Sequence, residues 1–457
     1  MHQEISIPSP VAPGSMQRLL LVLVLGVACA TASSFAQALP SFAQQTGMDC
    51  AACHVGGFGP QLTSFGMRFK IRGYTDSNGK SGNIPLAAMM MQTFTHIDED
   101  LPEDPAPHFS NNDNFALQEL SAFLAGGFGQ HLGAIVQGTW SEIGREMALD
   151  NMDVRATNQF RLMDKSVVAG ISLNNNPTVQ DPLNDTPAWR FPFNGPELAS
   201  EQAGGPLIDG GLEQQVFGLT AYTLVDDSIY IEAGAYRSPS QNFLEDMNIV
   251  GKGELAPKID GLAPYWRVAY MKDLDGQSYS VGVFGMMANL EPDRMNGLTD
   301  GYEDVGVDAT YQYYKSPDHF FALDGAYIHE ARDLNATFLA GGADRTDAGM
   351  EQVRLTGSYY YRNTYGLTGE FFDTWGGRDA TLYGTRTGRP DTDGVTLQAD
   401  WTPLGKAESW NAPWVNVRLG LQYTMYGKFN GASSNYEDTG RDAGDNDTLF
   451  GFLWGAF

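Results

Sequence analysis

The sequence predicts an all-β fold, an antiparallel transmembrane barrel of about sixteen strands. Three observations carry that expectation. Apolar and polar residues alternate in segments of about ten residues, as strands do when one face meets lipid and the other a polar lumen. The connections between segments are alternately short and long, as periplasmic turns and external loops are. Glycine is abundant at 53 residues, Phe, Trp and Tyr make up 12%, and no run is apolar enough for a spanning helix.

Residues 1–38 read as a leader. Translation is expected to start at Met16, with Arg18 as the charged start and Leu19 to Ala28 as a short apolar core. Ala36-Gln37-Ala38 supplies a small-residue cleavage site, so Leu39 is expected to open the mature chain. Cys29 would leave with the leader, and Cys50 and Cys53 remain.

Residues 39–84 form a segment too short to make its own core, so a bound group or the barrel must complete it. Residues 85–457 form the barrel. Its first eight strands are expected at 85–97, 115–129, 130–142, 149–162, 166–177, 213–225, 228–238 and 262–274. The second eight follow at 277–289, 302–316, 319–333, 351–363, 364–376, 393–405, 414–430 and 446–457. Tight turns fall at Asp164-Lys165, Asp226-Asp227, Asp275-Gly276 and Asn363-Thr364, and long loops at 178–212, 239–261, 334–350 and 377–392. The connection from Leu404 to Pro413 is long where a short one is expected. The last strand alternates aromatics up to Phe457, and after Asp447 near its start it carries no charged side chain that would blunt an edge.

Acidic residues number 55 against 28 basic ones, a formal charge of −27. Such a chain is not expected to bind nucleic acid and would attract cations instead.

The most specific motif is Cys50-Ala51-Ala52-Cys53-His54. Cys-x-x-Cys-His is the attachment spacing for a c-type haem, whose vinyl groups take the two thiols and whose iron takes the histidine. An exported chain without a second cysteine pair argues against thioredoxin-like and zinc readings. The sequence therefore predicts one covalent haem c on Cys50 and Cys53, with His54 as axial ligand, in a segment that plugs the barrel.

The distal ligand is open. On the first strand Met90, Gln92, Phe94 and His96 share one face. If that more polar face lines the lumen, Met90 or His96 is the ligand, with Met67 a third candidate. Arg68, Lys70 and Arg72 alternate, and on an extended stretch would share a face suited to haem propionates or to lumen carboxylates. Asp98-Glu99-Asp100 and the stretch Glu437 to Asp447 make the long loops acidic, which would concentrate divalent cations loosely.

Leu39 to Met48, the CAACH motif, Pro60 to Lys70 and Gly73-Tyr74 together resemble the fused outer-membrane cytochrome–porins. The best-known members are iron(II) oxidases of iron-oxidising bacteria. The chain departs from the expected Pro-Phe-Gly-Arg at Ser64-Phe65-Gly66-Met67, and Gly56 to Gly59 is richer in glycine. The resemblance implies an outer-membrane cytochrome that takes electrons from an extracellular donor such as Fe(II). A periplasmic cytochrome c or blue-copper protein would receive them. Two alternatives use the same parts: a diffusion porin with a redox-sensing or gating haem segment, and outward electron export to an extracellular acceptor.

Overall fold

The computed structural model describes residues 40–80, 84–294, 297–406, 408–409, 414–437 and 439–457. The expected leader, with its expected start at Met16, Cys29 and cleavage site, lies outside those residues, as does part of the connection after Leu404.

Among the described residues, seventeen strands form one sheet, and one of them is only the two residues Lys258–Ile259. The other sixteen are the staves of a closed barrel. The first eight are β1 Leu86–Ile97, β2 Asn114–Gly127, β3 Leu132–Ser141, β4 Glu146–Leu162, β5 Lys165–Asn174, β6 Phe217–Val225, β7 Ile229–Arg237 and β8 Ala263–Leu274. The second eight are β9 Gln277–Glu291, β10 Asp300–Tyr313, β11 His319–Asp333, β12 Asp347–Tyr361, β13 Tyr365–Gly376, β14 Thr392–Trp401, β15 Asn416–Lys428 and β16 Thr448–Ala456. Each pairs antiparallel with its neighbours in sequence. β1 closes the ring against β16, with Met89 opposite Ala456 and Ile97 opposite Thr448. Phe457 and Ala88 then exchange two backbone hydrogen bonds of 2.7 and 2.9 Å. Closure leaves no unpaired edge, which lipid would not tolerate.

β10 shows which solvent lies outside. Asp304, Asp308, Thr310 and Gln312 point inward and are buried, while Val305, Val307 and Tyr311 point outward and are exposed. A water-soluble barrel has the opposite polarity. At the short-turn end, exposed Tyr361, Tyr365 and Trp401 lie side by side in register across three strands, as an interfacial aromatic girdle does. The chain is an outer-membrane β-barrel by this geometry.

The alternation in β1 runs opposite to the sequence expectation. Ala87, Met89, Met91, Thr93, Thr95 and Ile97 are buried, whereas Met90 and His96 are only half-buried on the outer face. The physical reason is that this part of the lumen holds protein, so the wall facing it is apolar. Phe58 from the N-terminal segment packs in one cluster with Met89, Met91, Phe123 and Trp454.

Two further bodies occupy the lumen. One is the N-terminal segment, with short helices α1 Pro40–Thr46, α2 Cys50–Cys53 and α3 Ser64–Ile71. The other is the connection between β5 and β6. It was expected to be an external loop, yet residues 175–186 are buried without a break. It turns inward because it bonds both to the segment and to the wall. Leu62 N–H donates to Leu183 O at 2.9 Å, and Asn184 Nδ2 donates to Pro60 O at 2.7 Å.

Candidate functional site

The Cys-x-x-Cys-His motif is organised by local hydrogen bonds. The Asp49 carboxylate caps α2 by accepting from Ala52 N at 3.1 Å, and His54 N donates to Cys50 O at 2.8 Å. One helical turn puts Cys50 and Cys53 on one side. Thr63 then fastens α2 to α3: its hydroxyl donates to Ala52 O at 2.6 Å and accepts from Gly66 N at 3.2 Å. After His54 the chain reverses through Gly56 and Gly57, both at positive φ (69° and 75°). The glycine-rich run that departs from the expected pattern is thus a tight reversal. The motif lies at the short-turn end, where Ala51 N donates to Gly405 O at 3.1 Å and Asn416 Nδ2 donates to Gly57 O at 2.7 Å.

Cys50, Cys53 and His54 all line a cavity of about 800 Å³ inside the barrel. Cofactor sites commonly span roughly 300–1,000 Å³ with mostly apolar walls. Here Phe58, Phe69, Phe123, Trp189, Phe193 and Trp454 supply that apolar wall. Both thiols are free. Burial pushes Cys50 up to about 11 and Cys53 up to about 12, against a reactive thiolate pair. A thioether carries no charge and suffers no such penalty. Burial and the nearby Arg418 hold His54 down to about 4, so its imidazole is neutral at physiological pH, the form that binds iron. Its Nδ1 is buried without a hydrogen-bond partner. These residues fit a c-type haem.

The other predicted site residues are dispersed. Met90 and His96 face outward, and His96 Nδ1 pairs with Asp113 Oδ1 at 2.8 Å. Met67 is buried in α3 beside Ile71, Leu183 and Tyr222 and does not line the cavity. Arg68, Lys70 and Arg72 do not form an extended row, because α3 runs through them and sends them to different partners. Arg68 bonds Asp273 at 3.1 Å and Arg72 lies 3.5 Å from Asp76. Lys70 alone borders the cavity. Its ammonium donates to Val179 O and Asp181 O, both at 2.7 Å, and to Asn184 Oδ1 at 2.5 Å. The methionines that line the cavity are Met48, Met89 and Met152. Sequence alternation could have found Met89 had the inner face of β1 been read as apolar.

The cavity also has an acidic side that sequence reading missed. A bulge in β2 opposite Met91 and Gln92 leaves Gln118 as an extra residue, and both Gln118 and Glu119 line the cavity. A second irregularity between β3 and β4 brings in Asp150, which accepts from Thr139 Oγ1 at 2.6 Å and Gln214 Nε2 at 2.9 Å. Glu197 and Glu213 join from the inward loop. Confinement pushes each of these two carboxyls up to about 7, with Asp150 adding to the effect. Single-sequence periodicity cannot show a bulge.

At the long-loop end, the acidic stretches after β1 and β15 meet around Arg441. Its guanidinium donates to Asp100 O at 2.7 Å and Glu99 O at 2.9 Å. Asp438 lies outside the described residues.

No protein-family profile matches the chain, and no curated protein matches it in sequence. Solved outer-membrane barrels are similar in overall form. The channel DcaP of Acinetobacter baumannii is 12% identical, with a TM-score of 0.46 over 84% of this chain and 99% of that one. An anion-selective porin from Comamonas acidovorans is 13% identical, at 0.44 over 81% and 97%. OmpT of Vibrio cholerae is 9% identical, at 0.42 over 81% and 96%. Nothing about this chain's chemistry follows from likenesses of that size.

Proposed function

We propose that the chain is an outer-membrane cytochrome that moves electrons through one covalent haem c. It would pass them from an extracellular donor, Fe(II) by the resemblance, to a periplasmic cytochrome c or blue-copper protein. The observation that supports this reading is that Cys50, Cys53 and His54 together line one large cavity inside the barrel, with Phe58, Phe69, Phe123, Trp189, Phe193 and Trp454 on its apolar side. A haem bound there supplies reversible one-electron exchange at its iron. Cys50 and Cys53 would hold it covalently, and neutral His54 would bind its iron. Met89 is the favoured second ligand, because the strand wall fixes it and it is buried within the cavity lining. The aromatic side chains would pack against the porphyrin, while the short-turn position would bring the site near a periplasmic partner.

Stopped-flow mixing of the purified holoprotein with Fe(II), followed by a redox titration, tests the proposal. Rapid reduction at a potential above the supplied iron couple supports it. An intact haem that ignores Fe(II) but accepts electrons from another donor removes iron as the substrate and keeps the cytochrome. A chain purified from a c-haem-maturing host without covalent haem overturns the reading.

A second reading, a diffusion porin gated by its N-terminal segment, is favoured by the barrel itself, an architecture that also serves solute channels. Steady conductance of the folded protein in a planar bilayer would support it. A lumen closed to small ions would exclude it.

A further inference from the structure

Beside the cavity that Asn184 and Lys70 border, Asp181 and Asp185 of the inward loop and Asp308 of β10 converge, with a carboxylate oxygen from each within 4.8 Å of the others. All three are buried, at 0%, 8% and 5% exposure. Asp185 Oδ1 and Asp308 Oδ2 have no hydrogen-bond partner. Asp181 Oδ1 has Arg267 Nη2 at 2.8 Å, outside hydrogen-bonding geometry. Orphaned carboxylate oxygens in a dry site are costly, and so is their mutual repulsion. Arg267, which also lies 2.6 Å from Asp308 Oδ1, offsets one of the three charges. Lys70, held at the Asp181 carbonyl, offsets a second at most. Negative charge is left over.

We propose that these three aspartates hold one divalent cation of the hard, oxygen-seeking class, of which Ca²⁺ is the type. The cluster contains neither histidine nor cysteine, which argues against zinc or copper. Asp181 Oδ2 accepts from Asp185 N at 3.1 Å, which fixes the Asp181 carboxylate beside the Asp185 backbone. A neighbouring cavity of about 20 Å³, bordered by Asp185, Asn184 and Gln61, has room for a coordinated water, which needs at least roughly 10–15 Å³. The ion would pin the inward loop to the wall, and with it the segment that Leu183 and Asn184 grip. The competing arrangement is a proton shared between Asp181 and Asp185, which burial and the adjacent carboxylates also favour.

A calcium titration separates the two. Ca²⁺ added to the chelator-treated, full-length folded protein should bind with one-to-one stoichiometry in isothermal titration calorimetry. EDTA should lower Tm by several degrees and Ca²⁺ should restore it. Asp308→Asn and Asp185→Asn should each remove the metal equivalent found by elemental analysis. The proposal is overturned if EDTA leaves Tm unchanged and no Ca²⁺ binds. It is equally overturned if both variants keep the full metal equivalent, which would put the ion on the external acidic loops. If the variants do not fold, the wild-type titration and Tm decide.

Discussion

Gly66 of α3 lies so close to Cys53 that a Cβ at this position would fall 2.3 Å from the Cys53 carbonyl oxygen. In an ordinary helix interior, Gly→Ala stabilises by about 0.5–1 kcal/mol. Here the contact reverses the sign. Gly66→Ala should push α3 away from the motif helix and cost about 1–3 kcal/mol of local stability, as overpacking does. The expected readout is a fall in covalent haem per folded barrel, measured by haem stain against gel mobility. Unchanged haem content would show that the two helices move independently.

Met89 gives a spectroscopic prediction. A thioether ligand raises haem potential relative to imidazole. Met89→Leu should therefore lower the midpoint potential and remove the absorption band characteristic of sulfur–iron ligation, while Met90→Leu, on the outer face, changes neither. The same loss in Met48→Leu or Met152→Leu, with Met89→Leu silent, would transfer the role to that residue.

Glu197 and Glu213 make the site sensitive to pH near neutrality. Each holds its proton up to about 7 in the folded barrel, against an ordinary carboxyl value of 4.5. Between those limits the native state binds more protons than the unfolded one, so their contribution to stability falls as pH rises. Above about 7 both add negative charge to the cavity, which would favour the oxidised form of a haem bound there. The midpoint potential should fall as pH rises through neutrality. Glu197→Gln combined with Glu213→Gln should flatten that slope, and a slope unaltered by the double variant would assign the titration to another group.

The outer face offers a test of lipid solvation. Leu355, midway along β12, is 50% exposed. Leu355→Arg should cost about 2–4 kcal/mol, the penalty for a cation near the bilayer midplane. Unfolding titrations in lipid vesicles would measure it. A cost near zero would mean that this face does not meet lipid.

The barrel was legible because one physical constraint repeats along it. Lipid outside and polar groups inside impose alternation on β10 or β12 regardless of neighbours, and tight turns such as Asp226-Asp227 mark the register. The Cys50 to His54 motif was legible because its chemistry requires fixed spacing. What stayed hidden depends on contacts remote in sequence. Met90 and His96 were read toward the lumen because a lumen is normally wet; the N-terminal segment makes it dry beside β1. Lys70 was read as a propionate partner because nothing local reveals Val179 O and Asp181 O. The inward turn of residues 175–186 and the bulge at Gln118 leave no periodic trace at all.

Enclosure of the motif by the strands also fixes an order of events in the making of the protein. The half-buried thiols of Cys50 and Cys53 line a cavity inside the barrel, beside α1 and α3 and within a wall completed when β16 pairs with β1. A finished barrel would crowd a ligating enzyme at these half-buried thiols. On the proposed function, porphyrin attachment is therefore expected to precede strand closure. A loaded segment would then serve as the body around which the staves assemble, and a chain that misses its cofactor would close over an unfilled hollow.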